Sequence, residues 1–177
     1  MHESDELVYS RFLATRKSED MAILLDRHRE RLILFIYGYV HNLEDAEDLM
    51  IDTFATVAAG RSLFSGRSSF RTWLYSIGHN LALMHLRKNR VSSLPLDTEI
   101  ADESLSAETE ILKKEQYAAL YEALKKIPEE YRQVLYLMYF EDMPHDEIAR
   151  IMGVNKKKIY NLADRGKAAL KQVLSKE

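Results

Sequence analysis

The stretch His145-Asp146-Glu147-Ile148-Ala149-Arg150-Ile151-Met152-Gly153-Val154-Asn155-Lys156-Lys157-Lys158-Ile159-Tyr160-Asn161-Leu162-Ala163-Asp164 decides the fold. Ala149, Gly153 and Ile159 stand four and six residues apart, intervals that suit two short helices crossing at a turn. Ala149 is the small residue the first helix needs at the crossing. Gly153 is the turn residue that tolerates positive φ. Ile159 sends a branched side chain back into the same core, and Ile148, Met152, Val154 and Leu162 fill the remaining apolar positions. Asn155 is a suitable N-cap for the second helix. Lys156, Lys157, Lys158, Tyr160 and Asn161, with Arg165 a turn further on, are left on the outer face, where such helices meet the major groove. An ordinary helical hairpin with a solvated lysine run is the competing reading. Agreement of the small, turn, branched and cap positions favours a helix-turn-helix.

A net charge of −3 over 177 residues looks wrong for a DNA binder, so its distribution matters. Between residues 92 and 112 stand six acids (Asp97, Glu99, Asp102, Glu103, Glu108, Glu110) and no Lys or Arg. Without that −6 the rest of the chain carries +3, and residues 154–177 alone hold seven bases against Asp164 and Glu177. Phosphate binding follows such local patches and not the total. The split also suggests that the two halves embrace in the free protein, hiding basic surfaces behind the acidic segment or a protein partner.

Composition narrows the class further. Only 3 Pro and 6 Gly interrupt the chain, which favours long helices. The absence of cysteine excludes disulfides, thiolate zinc sites and cysteine nucleophiles. No run of 18 uncharged apolar residues exists, and the acidic opening Met-His-Glu-Ser-Asp-Glu is unlike a secretory signal. The expectation is a cytoplasmic protein without a membrane segment of its own.

Outward from the motif, the pattern is helical throughout. Residues 5–39 carry Leu7, Phe12, Ile23, Leu24, Leu32, Phe35 and Ile36 at helical spacing, with breaks expected at 16–18 and around His28. Residues 43–59 repeat the pattern through Leu43, Ala46, Leu49, Met50, Phe54 and Val57. Residues 60–69 read as a loop, and Ser69 as the N-cap of a helix running to Arg90. Pro95, paired serines and the acid run make 92–106 a linker. Residues 107–126 form one amphipathic stretch, and Pro128 opens the next helix. The expected fold class is all-α: two small helical domains, 1–91 and 107–177, joined by a flexible acidic linker, 92–106, with the helix-turn-helix in the C-terminal one.

Three segments carry a family likeness. They are Asp45-Ala46-Glu47-Asp48-Leu49-Met50-Ile51-Asp52-Thr53-Phe54; then Ser69-Phe70-Arg71-Thr72-Trp73-Leu74-Tyr75-Ser76-Ile77 with Asn80-Leu81-Ala82 and Leu86-Arg87; and Ile127-Pro128 with Tyr131-Arg132 and Glu147-Ile148-Ala149 through Leu170. In this order and at these separations the chain resembles a bacterial RNA polymerase sigma factor of the extracytoplasmic-function (ECF) group. Ile51 stands where the family commonly has Gln, and Met84 where it often has Asp. Ile159-Tyr160-Asn161-Leu162-Ala163 replaces its frequent Val-Lys-Ser-Arg-Leu.

The resemblance implies an alternative sigma factor that binds core RNA polymerase and directs promoter-specific initiation. A stand-alone helix-turn-helix regulator binding duplex DNA is the alternative. In the first reading Asp45, Glu47, Asp48, Leu49, Asp52 and Phe54 meet the β′ coiled coil, and the second domain meets the β flap. Arg61, Arg67, Arg71, Asn80, Arg87 and Lys88 serve minus-ten recognition and melting. Asn155, Lys156, Lys157, Lys158, Tyr160, Asn161 and Arg165 read the minus-thirty-five element. Promoter DNA and an anti-sigma factor are the further partners implied. Phe70 and Trp73 are expected in the core. No triad, paired carboxylates or Gly-rich phosphate loop points to an enzyme, and no cofactor or metal is expected.

Overall fold

The computed structural model describes residues 3–60, 63–92 and 115–176. Its eight helices, among the described residues, are α1 (Asp5–Thr15), α2 (Ser18–Val40), α3 (Leu43–Ala58), α4 (Phe70–Ser92), α5 (Glu115–Lys125), α6 (Glu129–Tyr139), α7 (His145–Met152) and α8 (Lys156–Leu174). No described residue is in a strand, so the fold is all-α. Most of the expected linker, 93–106, lies outside the described residues, as does Arg61. No described helix is long and apolar enough to cross a membrane.

Local chemistry sets most boundaries. Ser4, Asn42, Ser69 and Asn155 each accept a backbone N–H from the first turn of the helix that follows, at 2.8–3.3 Å. These are orphan donors that a helix start leaves unpaired. Helices α1 and α2 end on left-handed residues, Arg16 and His41, and α7 ends on Gly153 at φ 66°. Pro128 and Pro144 precede α6 and α7, where the missing N–H costs nothing.

The break expected around His28 is not there: α2 runs 23 residues without interruption. A polar residue in an apolar pattern looked like a boundary, but His28 is buried and tied to Asp5 at 2.7 Å, against the Phe70 ring. The His28 hydrogen bond, with Arg27 beside it, holds the Asp5 carboxyl at about 2. The same contact staples α1 onto α2.

Helices α1 to α4 pack around Leu24, Leu32, Ile36, Val57, Phe70 and Leu74, while α5, α6 and α8 enclose Leu124, Leu135, Ile159 and Leu170. Both expected halves are therefore present, and they share a boundary: α6 lies on α2 and α7 on α4. Every residue from Leu32 to Tyr39 is buried. The Phe35 ring sits 5.0 Å from Tyr75 of α4 and 5.9 Å from Tyr136 of α6. Tyr136 donates to the Arg31 carbonyl at 2.8 Å and Tyr121 to that of Leu34 at 3.3 Å. Arg132 donates to the Gly38 carbonyl at 3.1 Å. Gly38 allows this approach, since a Cβ there would lie 2.6 Å from Gln133 Nε2.

Phe35 is fully buried between both halves. We expect Phe35→Ala to lower unfolding stability by about 3–5 kcal/mol in urea titration, because the cavity opens to both sides.

Candidate nucleic-acid interface

Gly153 and the Asn155 cap set α8 across α7, with Ile148, Ile159, Leu162 and Ala163 buried beneath. All seven residues expected to read a minus-thirty-five element are exposed: Asn155, Lys156, Lys157, Lys158, Tyr160, Asn161 and Arg165. The helix-turn-helix therefore presents a cationic face with one aromatic in it. A contact invisible to the sequence pattern orders that face. His145, at the start of α7, stacks on the Tyr160 ring at 4.3 Å and 15° between planes. Lys156 Nζ lies 5.9 Å from the same ring, within cation–π range.

On α4, Asn80, Arg87 and Lys88 are exposed, with Met84 between them. Their spacing of four, three and one residues places them on a single stripe. Arg67 and Arg71 lie apart from that stripe, at the other end. Arg67 is exposed, and its carbonyl accepts from Arg150 of α7 at 2.8 Å. Arg71 is half-buried, with its guanidinium 3.8 Å from the Glu141 carboxylate. Thr72 donates to Glu147 at 2.6 Å. The start of α4 is thus in contact with the C-terminal half. Phe70 and Trp73 pack as expected, in an aromatic cluster with Tyr9 and Phe64. Phe64 was missed because an aromatic in a serine- and glycine-rich loop has no periodicity to betray it.

Helix α3 divides the residues expected to meet polymerase. Glu47, Asp48 and Asp52 are exposed on one stripe with Glu44 and Ile51, which is 57% exposed. Asp45 is half-buried and lies 3.3 Å from His85 of α4. Leu49 and Phe54 are buried at 7% and 6%, correcting their expected place on the contact surface. They sit on the core side of the helix, where they support the acidic stripe from behind. Ile51 is the apolar residue that this face presents. Among the described residues, no group of three or more His, Asp or Glu forms a metal site.

Two family models match, Sigma-70 region 2 over residues 24–91 and Sigma-70 region 4 over 117–170. Together they cover most of the chain. The chain belongs to the sigma-70 family. This sigma factor falls in the ECF group by its curated relatives. RNA polymerase sigma factor YlaC of Bacillus subtilis is 29% identical over 160 residues, 86% of this chain and 91% of that one. ECF RNA polymerase sigma factor SigW of the same organism is 22% identical, covering 95% and 97%. The fold matches CnrH, solved in complex with the cytosolic domain of CnrY, at a TM-score of 0.67 and 20% identity, covering 99% of each chain. It also matches the sigma factor RpoE of Bartonella quintana, solved with the anti-sigma factor NepR, at 0.66 and 18%, covering 89% of this chain and 98% of that one. The α3 and α4 stripes lie within the region 2 match, and the helix-turn-helix within region 4.

The Asn155 cap orders the recognition helix at the turn that carries the lysines. We expect Asn155→Ala to cost about 1 kcal/mol of stability and Asn155→Ser to restore most of it, read by chemical denaturation.

Proposed function

We propose that this ECF sigma factor joins core RNA polymerase through the exposed acidic stripe of α3 and reads promoters with α4 and α8. Glu47, Asp48 and Asp52, with Ile51 among them, suit the basic and apolar surface of the β′ coiled coil. Arg61, Arg67 and Arg71, with the Asn80, Arg87 and Lys88 stripe, engage the opened minus-ten strand. The α8 face of Asn155, Lys156, Lys157, Lys158, Tyr160, Asn161 and Arg165 enters the major groove at the minus-thirty-five element. Residues 1–91 and 107–177 act as sigma domains two and four, with 92–106 as the linker that lets them reach separate elements and the second of them meet the β flap. The chain works in the cytoplasm with polymerase, contributes no catalytic chemistry, and is held in check by an anti-sigma factor.

The observation that carries this reading is the coexistence of three exposed charged faces on one buried scaffold. A stand-alone duplex reader has no use for the acidic α3 stripe or for the exposed α4 stripe. Transcription with purified core and genomic promoter fragments tests it, and we expect initiation from a defined set of start sites. Failure to bind core, with duplex binding intact, would favour the stand-alone regulator. With Lys156, Lys157 and Lys158 changed together to Ala, we expect log affinity for promoter DNA to fall less steeply with log salt. The slope should flatten by up to about 3, because each phosphate contact contributes about 0.9. An unchanged slope would remove the lysines from the interface.

A further inference from the structure

Between Lys156 and Arg165 of α8, Tyr160 is the only exposed side chain with an apolar body. Its exposed neighbours Lys156, Lys157, Lys158, Asn161, Asp164 and Arg165 are polar or charged, while Ile159, Leu162 and Ala163 are buried. The ring is 48% exposed but not loose. His145 lies flat against it, with centroids 4.3 Å apart and planes 15° apart, and Lys156 Nζ sits 5.9 Å from its centre, one turn back on the same helix. His145 opens α7, whose Ile148, Ala149 and Ile151 are locked in the core. The stack therefore ties a reading side chain of one helix to the fixed frame of the other.

An aromatic side chain on an open helix face divides between the trans and gauche χ1 rotamers. Holding one of them before the partner arrives removes that ordering cost from binding. A ring held by its face meets a partner by its edge. In the major groove the apolar feature of a base edge is the thymine C5 methyl, and the other base-edge groups are hydrogen-bond donors and acceptors. A ring edge seated on that methyl takes apolar area out of water, and a cytosine in the same place offers no methyl to cover. The lysines around Tyr160 are point charges suited to phosphates, which carry no sequence information. The tyrosine hydroxyl both donates and accepts, so it discriminates poorly among bases. Within this face, the ring edge is the part that can choose.

We propose that Tyr160 reads a thymine methyl in the duplex element that α8 engages, and that His145 is the positioning residue that holds its ring for the contact. The proposal rests on the minus-thirty-five role given to α8 above.

The test uses purified core carrying the full-length chain, mixed with duplex promoter fragments whose minus-thirty-five segment is randomised. Sequencing of the bound duplexes gives the base preference at each position. We expect a position where thymine is favoured over cytosine about fourfold, the worth of one buried methyl. Tyr160→Ala should abolish that preference and keep those at other positions. His145→Ala should lower it to about twofold, because a second rotamer shares the population. His145→Leu, which fills the space without a flat face, should do the same and keeps the test alive should His145→Ala loosen α7. His145→Phe, a flat ring without nitrogens, should restore the parent value. In a fixed duplex, deoxyuridine in place of that thymine should weaken the parent about fourfold and leave Tyr160→Ala unaffected.

A stack that only packs would change unfolding stability and leave every base preference at its parent value, which overturns the proposal. So does a thymine preference that survives Tyr160→Ala, or a His145→Phe variant as impaired as His145→Ala. Bound duplexes of random sequence, with core binding intact, would sink the minus-thirty-five reading of α8 and this proposal together. Selective binding that ignores the deoxyuridine exchange sinks the proposal and spares that reading.

Discussion

Eight consecutive residues of α2, Leu32 to Tyr39, are buried on every side, and the placement of the other helices follows from that constraint. A helix apolar all round has no solvent face, so it must be enclosed. Leu32 and Ile36 face the N-terminal core, against Gly78 of α4. Phe35 bridges Tyr75 and Tyr136, and Gly38 meets Gln133. With α3 and α4 alone, the flank that carries Phe35 and Gly38 would face water. The C-terminal half completes the enclosure, and its own core stands on α6, whose other face packs on α8.

This constraint explains how the charged surfaces come to be where they are. Once α2 is enclosed, α3 and α4 each have one side inward, and their polar residues collect on the remaining stripes. Glu47, Asp48 and Asp52 fall outward on α3 because Ala46, Leu49, Met50 and Phe54 fall inward. On α4 the same partition puts Leu74, Ile77 and Ala82 inside and Asn80, Arg87 and Lys88 outside. The exposed charged stripes are the complement of the core.

What was legible in the sequence is what local chemistry decides. The caps at Ser69 and Asn155, the turn at Gly153 and the apolar spacing of α3, α4 and α8 are set within a few residues, and each could be read off the chain. Features decided by contacts distant in sequence could not. His28 signalled a break until Asp5, 23 residues away, supplied its partner. Leu49 and Phe54 were assigned to the contact surface along with the acids around them, though the helical period separates the two sets. Within 32–39 the helical spacing singles out Leu32, Phe35 and Ile36, whereas burial of all eight residues depends on helices distant in sequence. The stacking of His145 on Tyr160 joins two helices and leaves no trace in either one's periodicity.

The boundary between the halves also shows why acids and bases need not be paired tightly to matter. Arg71 is 35% exposed at the side chain and stands 3.8 Å from Glu141, without the bidentate hydrogen bonds of a fixed Arg–carboxylate pair. Such a pair contributes little to stability, because the desolvation of the acid consumes most of the attraction. Its consequence is one of occupancy: Glu141 gives Arg71 a neighbouring anion without fixing the guanidinium in one geometry. A tighter pair would hold the cation permanently, and a bare arginine would be open to any polyanion in the cell. An incompletely satisfied acid, carried in by aromatic packing that does not depend on it, leaves Arg71 screened yet exchangeable. The net charge of −3 conceals this arrangement, since Arg31 and Arg71 face Glu141 at the boundary while Glu47, Asp48 and Asp52 stay exposed on α3.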